Sequence, residues 1–213
     1  MKDPYLYPNT DILINKFNIK DEDTINSLEA DFSSSRLKDI IQEGVEGDFD
    51  LEHLMNVHYI IFQDIYDWSG QTRTIDIEKS ESLLGGISIE YSKHQNIEKD
   101  IKCVLSDMKS IKWIELGIDD IAELFSKYLS QLWKVHPFRE GNTRTIITFC
   151  SMYAEKQGFK LDTDLLKDNS NYVRTALVAS NAIFDDLGDK SNTDYIIKII
   201  KDAIKAARNI QEI

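Results

Sequence analysis

Apolar residues recur with a helical period along most of the chain. After Asp50 they follow the i, i+3, i+4, i+7 spacing of one helical face, and this pattern is predicted to end at Gly70. The strongest stripe covers residues 119–135 and stops at His136, because a residue that precedes proline avoids the helical region. Weaker patterns predict further helices at 21–34, 35–43, 97–108, 142–158, 171–184 and 194–210. The chain is therefore predicted to be all-α.

Two short runs alternate with a period of two instead. Residues 72–77 (TRTIDI) and 87–91 (ISIEY) alternate β-branched and polar residues, and Gly85 and Gly86 stand between them. Runs of this kind separated by a glycine-containing link predict a small β-hairpin. This is the only strand signal in the sequence.

The length of 213 residues fits one large domain or two small ones. No internal repeat or low-complexity linker divides the chain. We expect residues 1–50 to form an N-terminal arm and helices packed on the domain, 51–200 to form the core, and 194–213 to form a C-terminal helix of the same globule.

Charge and cysteine content limit the classes of function. The chain has 25 Lys+Arg against 37 Asp+Glu, a net charge of −12, which repels nucleic acid and anionic membranes at long range. The N-terminus lacks an apolar signal region, and no apolar run is long enough to span a bilayer. Cys103 and Cys150 both stand in apolar surroundings and are expected to be buried, reduced thiols. These features predict a soluble cytoplasmic protein that binds neither nucleic acid nor membrane.

The segment VHPFREGNTRT (residues 135–145) carries the candidate chemistry. Gly141 and Asn142 tolerate left-handed backbone, and a loop that opens a helix presents N–H groups to an anion. Arg144 is unfavourable in the first turn of a helix unless a phosphate lies nearby. Glu140 would repel that phosphate unless a divalent cation such as Mg²⁺ bridges them. His136 is the natural general base.

A purely structural interpretation of the same residues stays open at this point. A His-Pro-Phe turn can serve packing alone, and Glu140 and Arg144 can form a surface pair worth about 0.3–0.5 kcal/mol. Each residue taken singly favours that interpretation. Their occurrence together within nine positions, at the junction of two predicted helices, favours a phosphate site.

Residues 136–144, HPFREGNTR, closely resemble the signature of the Fic (Fido) family, usually written HPFx(D/E)GN(G)R. The N-terminal arm YLYPNTDILINKFNIKD and the run HYIIFQDIYDWSGQTRTIDIEK are also similar to family sequences. The second run is similar to a family helix and the hairpin that follows it, the flap. The resemblance implies an all-α Fic fold with one small hairpin beside the active-site loop. It also implies transfer of AMP from Mg-ATP to a Tyr, Ser or Thr hydroxyl of a target protein.

The resemblance implies a role for each matching residue. His136 would take the proton of the target hydroxyl, and Glu140 would hold Mg²⁺. The loop would be anchored by Pro137 and Phe138. Phosphates would be bound by Gly141, Asn142, Thr143 and Arg144. The flap residues that would dock the target are Thr74, Ile75, Asp76, Ile77, Glu78 and Lys79.

Two positions depart from the family pattern. Thr143 stands where the family most often has glycine, so the backbone is less free to approach a phosphate. Ile147 stands where many members carry a second arginine that contacts the γ-phosphate. Loss of such a charge-assisted contact costs about 1.5–3 kcal/mol of binding.

Family members are commonly inhibited by a helix with the pattern (S/T)xxxE(G/N), whose glutamate pairs with the second arginine. The chain has no suitable match to this pattern, and that arginine is replaced by Ile147. The sequence therefore predicts no glutamate switch within the chain. Control is expected from a separate, small antitoxin-like protein or from intrinsically low activity.

Three functions remain at this stage. The first is a protein adenylyltransferase; the second is a degenerate Fic fold that binds nucleotide or a partner protein with little or no turnover. The third is transfer of another phosphate-containing group. Outside the signature, His58 is expected to pack in the core or against a loop, and Arg73 and Tyr172 are undecided candidates for the nucleotide cleft.

Overall fold

A computed structural model describes residues 3–211 of the chain. Met1 and Lys2 of the predicted arm, and Glu212 and Ile213 of the predicted C-terminal segment, lie outside the described residues. Between them, the structure contains the helices α1 (Glu22–Glu43), α2 (Leu51–Phe62), α3 (Ile97–Lys109), α4 (Ile118–Val135), α5 (Asn142–Lys156), α6 (Thr163–Asp168), α7 (Ser170–Ser180) and α8 (Asp194–Gln211). Two short strands, β1 (Ile183–Phe184) and β2 (Gly188–Asp189), pair antiparallel.

Helix α4 lies at the centre of the fold and packs against α3, α5, α7 and α8. Its predicted apolar stripe is buried: Phe125, Leu129, Leu132 and Trp133 have no exposed surface. Burial of each such side chain stabilises the fold by roughly 1.5–3 kcal/mol. Because α4 is held on several sides, its C-terminal end is a rigid platform for the segment that follows.

The helices differ from the sequence prediction in four places. The patterns at 21–34 and 35–43 form one helix, α1, since no breaking residue separates them. Helix α2 ends at Phe62, and turns lead on to Gly70, whose φ of 76° is left-handed. The short helix α6 is absent from the prediction. The other predicted helices are confirmed, although α7 ends at Ser180.

The predicted hairpin is not at the predicted place. In the described chain, residues 72–77 and 87–91 contain no strand, and the hairpin is formed by β1 and β2. Side chains occupy backbone groups that a ladder would need: Arg73 donates to the carbonyl of Ile75, and the Lys79 N–H donates to Ser88 Oγ. Residues 74–79 still alternate between more and less exposed positions, so the period of two describes an extended segment.

The described part of the N-terminal arm lies on the domain surface near α2. Leu6 and Leu13 form an isolated antiparallel bridge, and the Lys16 N–H donates to the carbonyl of Ile65 at 2.8 Å. Helix α1 then packs against α2. The domain boundaries given above stay a prediction.

Two further expectations concern cysteines and membrane segments. Cys150 is buried, but Cys103 is exposed on α3, so the prediction of two buried thiols is wrong for Cys103. Its apolar neighbours in sequence face the core while Cys103 lies on the opposite side of the helix. Between residues 3 and 211, no helix combines the length and the apolar content needed to cross a bilayer.

Candidate active site

The signature segment (residues 136–144) links α4 to α5 through two left-handed residues. His136 caps α4 with φ 50° and ψ 59°, and Gly141 precedes α5 with φ 79°. A Cβ on Gly141 would lie 2.2 Å from a ring carbon of Phe62. Glycine is therefore required at 141 by both backbone conformation and space. The first N–H groups of α5 have no acceptor within the helix, as at any helix N-terminus, and can face an anion.

Side chains on both sides of the loop hold its shape. Asn142 Oδ1 accepts from the Phe138 N–H at 2.9 Å, and its Nδ2 donates to the Phe138 carbonyl at 2.8 Å. The Phe138 ring is fully buried and stacks on His58 with centroids 3.8 Å apart. The anchoring role of Phe138 stays a prediction. The Asn142 side chain, however, faces the loop itself and not an open phosphate site.

His58 joins α2 to the signature segment. Its Nδ1 accepts from the Gly70 N–H at 2.8 Å, which leaves Nε2 to donate to the Glu140 carbonyl at 3.1 Å. Burial lowers the pKa of His58 to about 3, so the ring is neutral at pH 7. The expectation that His58 packs against a loop is confirmed.

His136 is buried and has one ring nitrogen without a partner. Its Nδ1 lies 3.3 Å from the Trp133 carbonyl, which can only accept, so Nδ1 carries the proton. The Nε2 atom, buried and unpaired, is left with a free lone pair. Burial lowers the pKa of His136 well below its usual value, and the charge of Lys79 lowers it further. The side chain has the protonation state of a general base.

Glu140 forms an ion pair with the flap segment (residues 72–91). Its Oε2 accepts from Lys79 Nζ at 2.9 Å, and its Oε1 accepts from the Gly141 N–H at 3.0 Å. Burial alone would raise the pKa of Glu140, but the Lys79 charge and the Gly141 N–H outweigh burial and lower the pKa to about 2. Glu140 is therefore a carboxylate at pH 7 with both oxygens engaged.

Arg144 is engaged by α1. Its guanidinium pairs with the Glu29 carboxylate, donates to Ser33 Oγ at 2.7 Å and lies 4.8 Å from the centroid of the Phe62 ring. The sequence predicts no glutamate switch acting on the second arginine, which Ile147 replaces, and that stays a prediction; the contact with Glu29 involves the first arginine, Arg144. The pattern (S/T)xxxE(G/N) requires Ser or Thr four residues before the glutamate, and Ile25 occupies that position before Glu29. The pattern therefore does not identify Glu29. Control by a separate inhibitor stays a prediction.

The two departures from the family pattern have visible consequences. Thr143 Oγ1 accepts from the Trp133 indole N–H at 2.9 Å, a bond between α5 and α4 that glycine could not make. Ile147 packs against the hydrophobic core and brings no charge. Helix α5 therefore presents one arginine, Arg144, toward the loop.

The flap segment is held by Arg73 near its start and by Glu81 near its middle. The buried guanidinium of Arg73 donates to the carbonyls of His136 at 2.8 Å and Ile75 at 2.7 Å, and also bonds that of Ser92. Farther along, Arg174 on α7 donates to both carboxylate oxygens of Glu81 at 2.8 and 2.9 Å. Arg73 is thus a support of the loop and not part of an open cleft.

The flap segment also covers the catalytic candidate. Tyr91 lies against the His136 ring with centroids 4.1 Å apart. The other candidate for the cleft, Tyr172 on α7, is exposed and contacts Tyr195 on α8.

The predicted docking residues divide between two faces. Thr74, Asp76 and Glu78 are exposed, whereas Ile75, Ile77 and Lys79 are partly buried. Two of the exposed residues already have partners. Thr74 bonds Tyr5 of the arm, and Asp76 accepts from the His94 N–H at 2.7 Å.

The metal-ligating side chains of the site can hold Mg²⁺ only if substrate phosphates supply further ligands. Among residues 3–211, no group of three or more His, Cys, Asp and Glu side chains is placed to hold a metal ion. Mg²⁺ is commonly held by one or two carboxylates together with substrate phosphates, so Glu140 alone suits a nucleotide-borne ion. Lys79 would first have to leave the carboxylate.

The family of the chain follows from comparison with known proteins. The Fic/DOC family model matches residues 48–154, which is half of the chain. The chain belongs to the Fic/DOC family. Protein adenylyltransferase VbhT of Bartonella schoenbuchensis is 30% identical over 162 residues, 76% of this chain and 33% of VbhT. The match therefore spans about a third of the length of VbhT. Probable protein adenylyltransferase y4lH of Sinorhizobium fredii is 30% identical over 171 residues, 78% of this chain and 83% of that protein.

Solved Fic domains share the fold. The N-terminal Fic domain of a Bartonella effector protein from Bartonella sp. AR 15-3 has a TM-score of 0.78 and 22% identity, and the match covers 97% of this chain and 93% of that one. BepC from Bartonella tribocorum, solved with bound AMPPNP, has a TM-score of 0.76 and 20% identity over 93% of this chain and 95% of that one. The all-α Fic fold expected from the sequence is confirmed.

Proposed function

We propose that this chain transfers AMP from ATP to a hydroxyl group on a target protein. The observation that carries the proposal is the buried, unpaired Nε2 of His136, which the Nδ1 contact leaves as an acceptor. Relatives named protein adenylyltransferase at 30% identity support it.

The reaction balances with groups that the chain supplies. The target oxygen attacks the α-phosphorus and forms a new P–O bond, while the bond to the β-phosphate breaks and pyrophosphate leaves. The hydroxyl proton passes to His136 Nε2. The free N–H groups at the start of α5, together with Arg144, bind the phosphates and neutralise their charge. The flap segment positions the target segment beside His136.

Glu140 is the residue that would hold Mg²⁺. The ion would neutralise phosphate charge and help orient the leaving pyrophosphate. For this to happen, the nucleotide must draw Lys79 from Glu140 and Arg144 from Glu29. Both exchanges replace a carboxylate by a phosphate, so the cationic groups stay paired.

One alternative is a fold that binds nucleotide without turnover. The pairing of Arg144 with Glu29 and the apolar Ile147 favour it, because both reduce the positive charge available to the nucleotide. A second alternative is transfer of a different phosphate-containing group.

Labelled ATP separates these functions. The protein is incubated with a cell lysate and Mg²⁺ plus ATP labelled at either the α- or the γ-phosphate. We expect α-label on protein that depends on this chain, and no γ-label beyond that of the lysate alone. Additional γ-label would indicate phosphate transfer, and binding of ATP without additional label on protein would indicate the non-catalytic alternative.

His136→Ala tests the assigned base. The variant should lose label transfer by at least a hundredfold, in the range of general-base contributions of about 10²–10⁴. It should bind AMPPNP within about threefold of the parent chain. Retained transfer, or loss of AMPPNP binding with the unfolding temperature unchanged, would contradict the role.

A further inference from the structure

The signature segment offers little positive charge to a triphosphate. In the first turn of α5 the cation is Arg144, and one turn later Ile147 is apolar. Arg139 is turned toward the arm and pairs with Asp3 at 2.9 Å. Arg73 is buried with its donors on backbone carbonyls. A second cation for the phosphates must therefore come from a neighbouring segment.

Lys79 is placed to be that cation. It follows Ile75 and Ile77 on the inward face of the extended segment, and its side chain is only 19% exposed. A lysine on the apolar side of such an alternation is unusual, since lysine is almost never buried without a partner. Its partner is the signature carboxylate of Glu140, 2.9 Å away and next to the Gly141 loop.

Contacts of the neighbouring backbone orient the Lys79 side chain toward the signature segment. The Lys79 N–H donates to Ser88 Oγ at 3.0 Å, across the turn of the flap segment. Two residues later, Glu81 is held by Arg174. The side chain is thus aimed at the signature segment by contacts that do not involve Glu140.

We propose that Lys79 binds the outer phosphates of the nucleotide. This rests on the proposed function. The ammonium group moves from Glu140 to the β- or γ-phosphate by rotation of its flexible side chain, and the released carboxylate becomes free for a divalent cation. Lys79 is then a substrate-binding residue that favours nucleotides with outer phosphates over AMP, in addition to its place in the flap.

The competing interpretation makes the opposite prediction. If Lys79 only closes the empty site by neutralising Glu140, its removal frees the carboxylate and leaves nucleotide affinity equal or higher. If Lys79 binds phosphate, its removal lowers the affinity for nucleotides that have outer phosphates and leaves AMP unaffected.

The test measures dissociation constants for AMPPNP and AMP with Mg²⁺ by calorimetry. In Lys79→Gln the affinity for AMPPNP should fall about tenfold to a hundredfold, the range for loss of a charge-assisted hydrogen bond. Affinity for AMP should stay within about twofold, and Lys79→Arg should recover most of the AMPPNP affinity. Lys93→Gln is the matched control: it removes a 74% exposed lysine just beyond the same segment and should leave both constants unchanged.

Unchanged or tighter AMPPNP binding by Lys79→Gln overturns the proposal, as does an equal loss for AMPPNP and AMP. These outcomes leave the proposed function intact if the parent chain still transfers α-label. A parent chain that binds neither nucleotide contradicts both.

Discussion

The signature segment is contacted on one side by the flap segment and on the other by α1, and the two contribute side chains of opposite charge. On one side, the flap segment brings the cation Lys79 to the carboxylate of Glu140. On the other, α1 brings the carboxylate of Glu29 to the guanidinium of Arg144. Each contact satisfies one signature charge in the absence of nucleotide.

The two sides differ in the charge that they place near the phosphates when a nucleotide binds. The flap side adds a positive charge near the phosphates, whereas the α1 side adds a negative one. Loss of Lys79 should therefore weaken nucleotide binding, and loss of the Glu29 charge should strengthen it. The two ion pairs look alike as contacts but have opposite expected effects on the same equilibrium.

The largest expected effect comes from removing the attachment of the flap side. Arg73→Met deletes the guanidinium that bonds the carbonyls of Ile75, Ser92 and His136, and leaves buried acceptors unpaired. We expect the free energy of unfolding to fall by about 3 kcal/mol or more, since each unsatisfied group costs about 1–3 kcal/mol. Urea denaturation measures this change.

Arg36→Met is the control for Arg73. Arg36 pairs with Asp64 at 2.7 Å but is 36% exposed, so its loss should cost no more than about 1 kcal/mol. Equal losses in the two variants would show that the buried Arg73 guanidinium adds no more stability than an exposed ion pair and that the flap is held by other contacts.

The next largest effect concerns His58, which joins α2 to the signature segment, and is seen in the pH dependence of stability. The unfolded chain protonates His58 near pH 6.5, whereas the folded chain does so only near pH 3, so stability falls as the pH drops below 6.5. Between pH 6.5 and 5 this histidine should reduce the free energy of unfolding by about 1.6 kcal/mol. His58→Gln, although less stable, should lose about 1.6 kcal/mol less over the same interval.

The comparison of pH profiles isolates His58. His53 and His136, whose pKa values are also lowered by burial, are present in both proteins and cancel in the difference. Glu140 has a pKa lowered to about 2 and affects stability only below about pH 4.5, outside the interval. Parallel profiles for the parent and the variant would refute a neutral, buried His58.

The smallest effect tests the α1 side. Glu29→Gln keeps the size of the side chain but removes the charge that competes with phosphate for Arg144. We expect the affinity for AMPPNP to rise by up to about tenfold, or 1.4 kcal/mol, because a neutral amide is displaced more easily than a carboxylate. Calorimetry with Mg²⁺ measures the constant.

Asp31→Asn provides the matched change of charge on the same helix. Asp31 is exposed and lies two residues from Glu29, so its loss changes only the long-range potential. A similar gain for both variants would attribute the effect to net charge, and a loss for Glu29→Gln would contradict competition at Arg144.

Much of the fold could be predicted because the helical stripes are strong and local. The apolar positions of α4 alone define its buried face, and the His136–Pro137 pair defines its end. The hairpin could not be placed because alternation specifies an extended backbone and not its partner. In the flap segment, the side chains of Arg73 and Ser88 form hydrogen bonds with backbone groups that would otherwise pair with a second strand.

The candidate site was predictable as a segment but not as a set of contacts. HPFREGNTR located the loop, and glycine at 141 is explained by the close approach of Phe62. The partners Glu29, Lys79 and His58 are 61 to 115 residues away in sequence from the loop residues they contact, and no local pattern joins them to the loop. The inward position of Lys79 after Ile75 and Ile77 was the one available signal.

The bond between Glu81 and Arg174 sets the reach of the flap. Lys79 lies two residues before Glu81, so its backbone can move at most about 7 Å from that fixed point while the bond holds. The ammonium group is therefore held at a high local concentration next to the loop, like a ligand on a short linker. Exchange between carboxylate and phosphate then needs only side-chain rotation, and the rest of the flap can stay in place while the nucleotide binds.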